Sequence, residues 1–197
     1  MRILSAGAAL ALLSPLPATA QTDAAVVPVQ SLDAGLLGIM KAGSKAGVKA
    51  RAAAIGPVVD RSFDLPLMTR LAVGPSWTTI APADQAALVA AFRRLTVNSY
   101  AVNFDGFGGQ SFTVTPQVET RGGDKLVRTT LNDPKGAPVP ISYRLRQSGG
   151  GWRIIDVFYR SVSQLATRRS DFADVLGRGG AKALLARMDQ LAAKGAG

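Results

Sequence analysis

One stretch of the chain decides the fold: Ile141-Ser-Tyr-Arg-Leu-Arg-Gln-Ser-Gly-Gly-Gly-Trp-Arg-Ile-Ile-Asp-Val-Phe-Tyr159. Its first six residues alternate between apolar and polar side chains, which is the pattern of a half-buried strand. Residues 147–151 have the composition of a tight turn, and residues 152–159 form a second, more apolar strand. The stretch therefore predicts an antiparallel hairpin, with Ile154 and Phe158 on one face of its second strand.

Two further strands precede this hairpin. Phe112 and Val114 alternate with polar residues, and an apolar segment follows at 125–131. Turn-forming residues at 132–136 separate that segment from the hairpin, so neighbouring strands are expected to pair in an antiparallel meander. The sequence thus predicts four consecutive antiparallel strands.

Apolar residues recur at helical spacing on both sides of these strands. The most regular case is 82–100, where Pro82 begins the helix and Leu88, Phe92 and Leu95 share one face. The other predicted helices cover 31–40, 49–59, 63–71, 162–176 and 184–191. The order of helices, strands and helices predicts an α+β fold: a curved four-stranded antiparallel meander of cystatin-like type, covered on one face by N- and C-terminal helices.

The first twenty residues have the pattern of a secretory signal. Met1-Arg2 is followed by the apolar run 3–13 and the small-residue triplet Ala18-Thr19-Ala20. The run is about half of the ~20 residues that span a bilayer, so no stable membrane insertion is expected. We predict cleavage after Ala20, a flexible mature N-terminus over 21–30 and a single domain over 31–197.

Composition narrows the functional classes. The chain contains no cysteine and no histidine, which removes thiol chemistry, the commonest metal ligand and the usual general base near neutral pH. We therefore expect no enzyme, no metal and no cofactor. The net charge of +10 would suggest nucleic acid in a cytosolic protein, but export argues against it. A solvated basic surface and attraction to anionic lipid headgroups or an acidic partner both remain open.

Several segments together resemble the MlaC (toluene-tolerance) family of periplasmic lipid-binding proteins. They are Phe63-Asp-Leu-Pro-Leu-Met-Thr-Arg-Leu-Ala-Val-Gly-Pro-Ser-Trp77, the helix around 87–95, Phe104-Asp-Gly-Phe-Gly-Gly-Gln-Ser-Phe112, the turn at 133–136, Gly151-Trp-Arg-Ile-Ile-Asp-Val157 and Val162-Ser-Gln-Leu-Ala-Thr-Arg-Arg-Ser-Asp-Phe172. The resemblance covers about 45–193, and the first and last of the four quoted motifs with Phe104 and Phe172 resemble in particular the hopanoid-associated HpnM branch. Ser161 departs from the family pattern, because a glycine is expected after the last strand.

The resemblance implies a periplasmic carrier that sequesters a phospholipid, or in that branch a hopanoid, in an apolar cavity. Such a carrier works as an auxiliary component of an ABC transporter: it shuttles lipid between the inner-membrane ABC transporter complex and an outer-membrane lipid complex, which contributes to outer-membrane lipid asymmetry. In the inferred fold, helices and sheet converge on a dry, elongated cavity. The expected lipid-binding residues are Phe63, Leu67, Met68, Leu71, Trp77, Leu88, Phe92, Leu95, Tyr100, Ile141, Tyr143, Leu145, Ile154, Phe158, Val162 and Leu165.

Pattern alone leaves two other readings open. The same apolar residues also suit an ordinary filled core, in which case the chain is a structural or adaptor domain of the cell envelope. A secreted hydrolase that works without histidine or cysteine is a third class.

Overall fold

The structure, a computed structural model, describes residues 22–194. The predicted signal and its cleavage site lie outside these residues. The α-helices, in chain order, are α1 (Val26–Ala42), α2 (Gly47–Ser62), α3 (Leu65–Val73), α4 (Pro82–Asn103) and α5 (Gln164–Lys194). The strands are β1 (Ser111–Val114), β2 (Glu119–Arg121), β3 (Asp124–Asn132), β4 (Val139–Ser148), β5 (Gly151–Tyr159) and β6 (Val162–Ser163). Helices, strands and a final helix follow one another as predicted, so the α+β class is confirmed.

Helix α1 begins at Val26, inside the stretch 21–30 that the sequence assigned to a flexible terminus. Ala25, Val26 and Val29 are buried in the core. Pro28 had argued against a helix here, but it lies in the first turn, where the backbone amide of a helix has no intrahelical acceptor and proline is tolerated. The helix therefore starts five residues before the predicted Ser31.

Helix α3 shows why the chain turns sharply after α2. The Asp64 carboxylate accepts a hydrogen bond from the Leu67 amide at 3.0 Å, and Pro66 occupies the first turn. Gly74, with φ of 73°, ends the helix in a conformation that residues with a side chain rarely adopt. Local sequence signals thus set both ends of α3.

The sheet has six strands, so the prediction of four was wrong. Its order is β1-β3-β4-β5-β6, with β2 also paired to β3, and every pairing is antiparallel. The two missed strands, β2 and β6, are only three and two residues long, too short for an alternating pattern to stand out. Val162, predicted to begin a helix, lies in β6.

A β-bulge interrupts the pairing of β4 with β5. Leu145 pairs with Ile154 and Arg144 pairs with Asp156, so Ile155 has no partner of its own. Because side chains alternate between faces, one extra residue reverses the orientation of everything beyond it. Ile154 therefore lies on the inner face with Leu145, whereas the side chains beyond the bulge have changed face.

The last two predicted helices are one element, α5, with a kink. Gly180 has φ of 65° and ψ of −162° within it, a non-helical conformation available to glycine. The glycines at 177–180 were the reason that the sequence predicted two helices here.

The main core lies between the helices and the inner face of the sheet. It joins α1, α2, α3, α4 and α5 to the inner face of β3, β4 and β5 in one continuous cluster. At the β5 edge, Phe63 forms a parallel bridge with Ile154, and the Asp64 amide donates to the Ile154 carbonyl at 2.9 Å. Over residues 22–194, no helix combines the length and the apolar character needed to cross a bilayer.

Candidate functional site

The structure brings nine of the predicted lipid-binding residues into the buried interior between helices and sheet. All are members of the continuous core cluster, and they come from α3, α4, β4, β5 and the residue after α2. They are Phe63, Met68, Leu88, Phe92, Leu95, Ile141, Tyr143, Leu145 and Ile154.

This interior is filled, in contrast to the predicted open cavity. None of the nine side chains exposes more than 6% of its surface to a water-sized sphere. A side chain that borders an empty space of that size would expose surface to it, so these residues pack on one another. Ligand entry between helices and sheet therefore requires the two layers to separate.

Five predicted residues lie at the margin of the interior and are half-buried. They are Leu67, Leu71, Trp77, Tyr100 and Leu165. Leu71 and Leu165 line a depression of about 250 Å³ beside the β5 edge, together with Ile155 and the side chains of Arg144, Arg146 and Arg169. This depression has an apolar floor and a basic rim, and it opens outside the main core.

Phe158 and Val162 are not in the interior, so the prediction that they line it was wrong. Phe158 pairs with Ser142 beyond the bulge and lines a second depression, of about 280 Å³, on the outer face of the sheet. Val162 is 56% exposed in β6. The bulge moved Phe158 to the opposite face from Ile154, and the short hairpin removed Val162 from the helix that was expected to carry it.

Phe92 is buried as predicted, but its nearest aromatic neighbour is on a helix. Its ring meets the ring of Phe172 in α5 edge to face, with 6.4 Å between centroids. This arrangement is favourable for aromatic pairs and contributes to the packing of α4 on α5. Phe92 therefore has a structural role at a helix–helix contact.

The interior also contains a buried acid that the sequence analysis missed. Asp33 lies in the middle of α1, is 5% exposed, and neither carboxylate oxygen has a hydrogen-bond partner. Burial raises the pKa of Asp33 to about 7. A signal was present, because Asp33 occupies the apolar stripe Val26, Val29, Leu36 and Met40 at spacings of three and four residues.

Three hydroxyl groups lie in the same region. The Ser62 hydroxyl, at the end of α2, is buried without a partner. Burial, reinforced by the charge of Asp33, raises the pKa of Tyr100, and burial together with Tyr100 and Asp33 raises that of Tyr143. Both phenols therefore keep their protons at any physiological pH. Tyr100 also packs between Phe63 and Phe104, with ring centroids at 6.0 and 5.9 Å.

Polar links between the helical layer and the sheet lie at the edges of the interior. The Lys125 ammonium binds the Asp23 carboxylate at 2.7 Å, and this hydrogen bond together with the Ala25 amide holds the pKa of Asp23 below its usual range. At the β5 edge, Arg153 donates to the carbonyls of Asp60 and Arg61. The contact between the layers is therefore mainly apolar, with polar groups at its borders.

The outer face of the sheet carries a network of paired charges. Asp124 is almost fully buried and accepts hydrogen bonds from Arg146 and Arg144, which hold its pKa below the usual range. Glu119 pairs with Arg121 and Arg128 in the same way. These bonds satisfy both acids, so the outer face holds a structural charge network with an excess of arginine.

No reactive constellation emerges from these residues. Within 22–194, no group of three or more acidic, histidine or cysteine residues is arranged to hold a metal ion. What the interior offers is an apolar space with four oxygen-bearing side chains, which suits binding of an amphipathic molecule.

These features define a small α+β domain whose one extended apolar interface lies between its helices and a curved antiparallel sheet. Within that class the chain belongs to the MlaC family, because the family model described as MlaC protein matches residues 30–190. Among solved structures, the phospholipid-binding protein from Ralstonia solanacearum, solved in complex with a phospholipid, is similar in fold. It is 24% identical, the match covers 89% of this chain and 100% of that one, and the TM-score is 0.77. No curated protein sequence matches the chain.

Proposed function

We propose that this protein is a non-enzymatic lipid carrier of the periplasm. It holds the apolar body of a membrane lipid between the helices and the inner face of the sheet, and it carries that lipid between an inner-membrane ABC transporter and an outer-membrane complex. The observation that carries the proposal is membership of the MlaC family over nearly the whole domain. The Ralstonia solanacearum protein, which has the same fold and is described as phospholipid-binding, supports a lipid ligand.

Physical chemistry favours an enclosed ligand. Exposure of an acyl chain to water costs about 0.8 kcal/mol per methylene, so two chains of ordinary length approach ~20 kcal/mol. The interior between helices and sheet is the one extended apolar interface among residues 22–194. Because it is filled, loading requires the helical layer to move outward and exchange its contacts with the sheet for contacts with the tails.

The ligand is a phospholipid by the closest chemical precedent, the complex of the Ralstonia solanacearum protein. The HpnM-like motifs, Phe104-Asp105-Gly106 and Leu165 to Phe172, favour a hopanoid as the second ligand class. Both share an apolar body of comparable size with one polar end, and neither requires a catalytic group.

A second candidate function rests on the filled interior. A structural or adaptor domain of the cell envelope needs no cavity, and the tight packing of Leu145 and Ile154, both fully buried, fits it as well. The two candidates differ in one measurable property, stoichiometric bound lipid.

The deciding experiment is organic extraction of the full chain purified from the periplasm, followed by mass spectrometry. The carrier is expected to yield about one lipid per protein, and the adaptor none. A Val162→Ser variant, altered at an exposed position, is the matched control and should retain the lipid content of the wild type. Transfer from labelled donor vesicles to acceptor vesicles then tests shuttling, and fractionation of spheroplasts tests the periplasmic location.

A further inference from the structure

Four oxygen-bearing side chains share the apolar interior, and they come from four different elements. Asp33 is in α1, Ser62 ends α2, Tyr100 is in α4 and Tyr143 is in β4. The charge of Asp33 acts on both phenols, which places all three groups in one region. We call these four residues the interior polar cluster.

The geometry of the α1–α2 pair brings Asp33 and Ser62 near each other. The two helices run antiparallel, and a Cβ on Gly35 would lie 3.0 Å from side-chain atoms of Ile55 and Val58. Gly35 therefore lies opposite the middle of 55–58, and Asp33 opposite a point about two residues further along. Ser62 follows three to four residues later, which is about one helical turn, or ~5 Å along the axis.

Two members of the cluster have unmet hydrogen-bonding capacity. Both oxygens of Asp33 and the hydroxyl of Ser62 are buried without a partner, at 5% and 1% exposure of their residues. Roughly nine in ten buried polar groups in proteins are hydrogen-bonded, so two orphaned groups side by side point to a partner from outside the chain.

The chemistry of the cluster indicates what that partner is. Burial alone shifts Asp33, and no cationic side chain contributes to its environment. The nearest buried cation on these helices, Arg51, is bound to the carbonyls of Gly43 and Ala101 at the other end of the α1–α2 pair. Four O–H groups without a cation match uncharged oxygen atoms; a phosphate would call for arginine or lysine.

We propose that the interior polar cluster is a subsite for the uncharged oxygen functions of the lipid, the ester carbonyls of a diacyl lipid or the hydroxyl of a polycyclic one. The inference rests on the proposed function and specifies which part of the ligand the interior recognises. The charged headgroup lies outside this subsite, and the tails occupy the apolar surroundings.

The test uses the full chain after removal of bound lipid, reloaded from an equimolar mixture of diester and diether phosphatidylglycerol with matched chains. Ether oxygens are weaker acceptors than ester carbonyls, so the wild type is expected to favour the diester by roughly five- to tenfold, the value of about one hydrogen bond. Asp33→Leu is expected to abolish the preference and Ser62→Ala to reduce it. Asp60→Asn, which changes an exposed acid of α2, should leave it intact.

A parallel arm compares a hydroxylated triterpenoid with its deoxy counterpart, and a preference lost in Asp33→Leu assigns the hydroxyl as the source. Equal loading of both members of each pair by the wild type overturns the subsite, as does a preference that survives in both variants. Failure of the wild type to load any lipid contradicts the carrier function itself, so the two failures are distinguishable.

Discussion

The carboxylate of Asp156 accepts a hydrogen bond from the hydroxyl of Ser163 at 2.6 Å, which joins β5 to the segment that begins α5. Its other oxygen accepts hydrogen bonds from the amides of Val157 at 2.7 Å and Leu165 at 3.0 Å. One buried acid thus organises the β5–β6 hairpin and satisfies a free amide at the start of the helix.

Asp156→Ala is expected to lower the free energy of unfolding by about 2–3 kcal/mol, because it orphans buried donors and removes a helix cap. Denaturant melts measure the loss. Asp174→Ala, which breaks an exposed pair with Arg178 one turn away in α5, should change stability by less than ~0.5 kcal/mol. Equal effects of the two changes would contradict the capping role.

Asp33 makes stability depend on pH. Its pKa of about 7 in the folded state lies above the model value of 3.8, so the folded state holds a proton that the unfolded state releases. Stability is therefore present at low pH and is lost as pH rises through 7. Between pH 5 and pH 8.5 the wild type should lose about 3 kcal/mol relative to Asp33→Asn, which cannot ionise. Parallel melts of the two proteins at both pH values test this, and a constant difference would contradict it.

Phe92 should behave as a core residue of the α4–α5 contact. Phe92→Ala removes the edge-to-face partner of Phe172 and leaves a void, with an expected loss of roughly 3–5 kcal/mol. Phe92→Trp is also expected to destabilise, by about 1–3 kcal/mol, because the site is already packed. Thermal and denaturant melts provide the measurement, with Val162→Ala as the exposed control. A mild effect of both changes would show that Phe92 borders free space.

The turn between β5 and β6 carries backbone strain. Arg160 and Ser161 both have positive φ, of 48° and 68°, which is the geometry of a type I′ turn. Ser161→Gly is expected to stabilise the protein by about 1 kcal/mol, because glycine adopts this conformation without a steric penalty. Gly122→Ser, the opposite change at φ of 61°, should destabilise by a similar amount. Stabilities that move in the same direction would contradict the strain.

The basic surface should steer the protein to anionic membranes. With a net charge of +10, association with vesicles of anionic lipid is expected to slow as salt rises from about 20 to about 200 mM, because screening shortens the reach of charge. Stopped-flow mixing measures the rate, and vesicles of zwitterionic lipid are the control. An association rate independent of salt would remove the electrostatic role.

The sequence predicted those features that depend on local pattern. The helix from Pro82, the turn at Gly74 and the alternation of 141–145 each identify themselves within a few residues, and the structure has all three. It failed where one residue changes a register or a contact is remote. The bulge at Ile155 moved Phe158 to the outer face, and nothing in 152–159 alone announces an extra residue.

The candidate site shows the same limit. Periodicity identified the inward faces, and nine predicted residues are buried there, but whether a face meets a cavity or another side chain depends on packing between distant elements. Asp33 was overlooked because acids in a helix are usually solvated. Its position in the apolar stripe was the one available warning.

The apolar contact between helices and sheet, bordered by polar links, bears on the energetics of exchange. In the proposed carrier, incoming tails replace contacts that the protein already makes with itself, so little apolar surface of the protein passes from water to a dry environment on loading. Affinity is then a difference between two similar quantities. A carrier built this way shows no greasy slot when unloaded, and it releases its cargo to an acceptor without a large barrier, because self-closure compensates for the contacts given up.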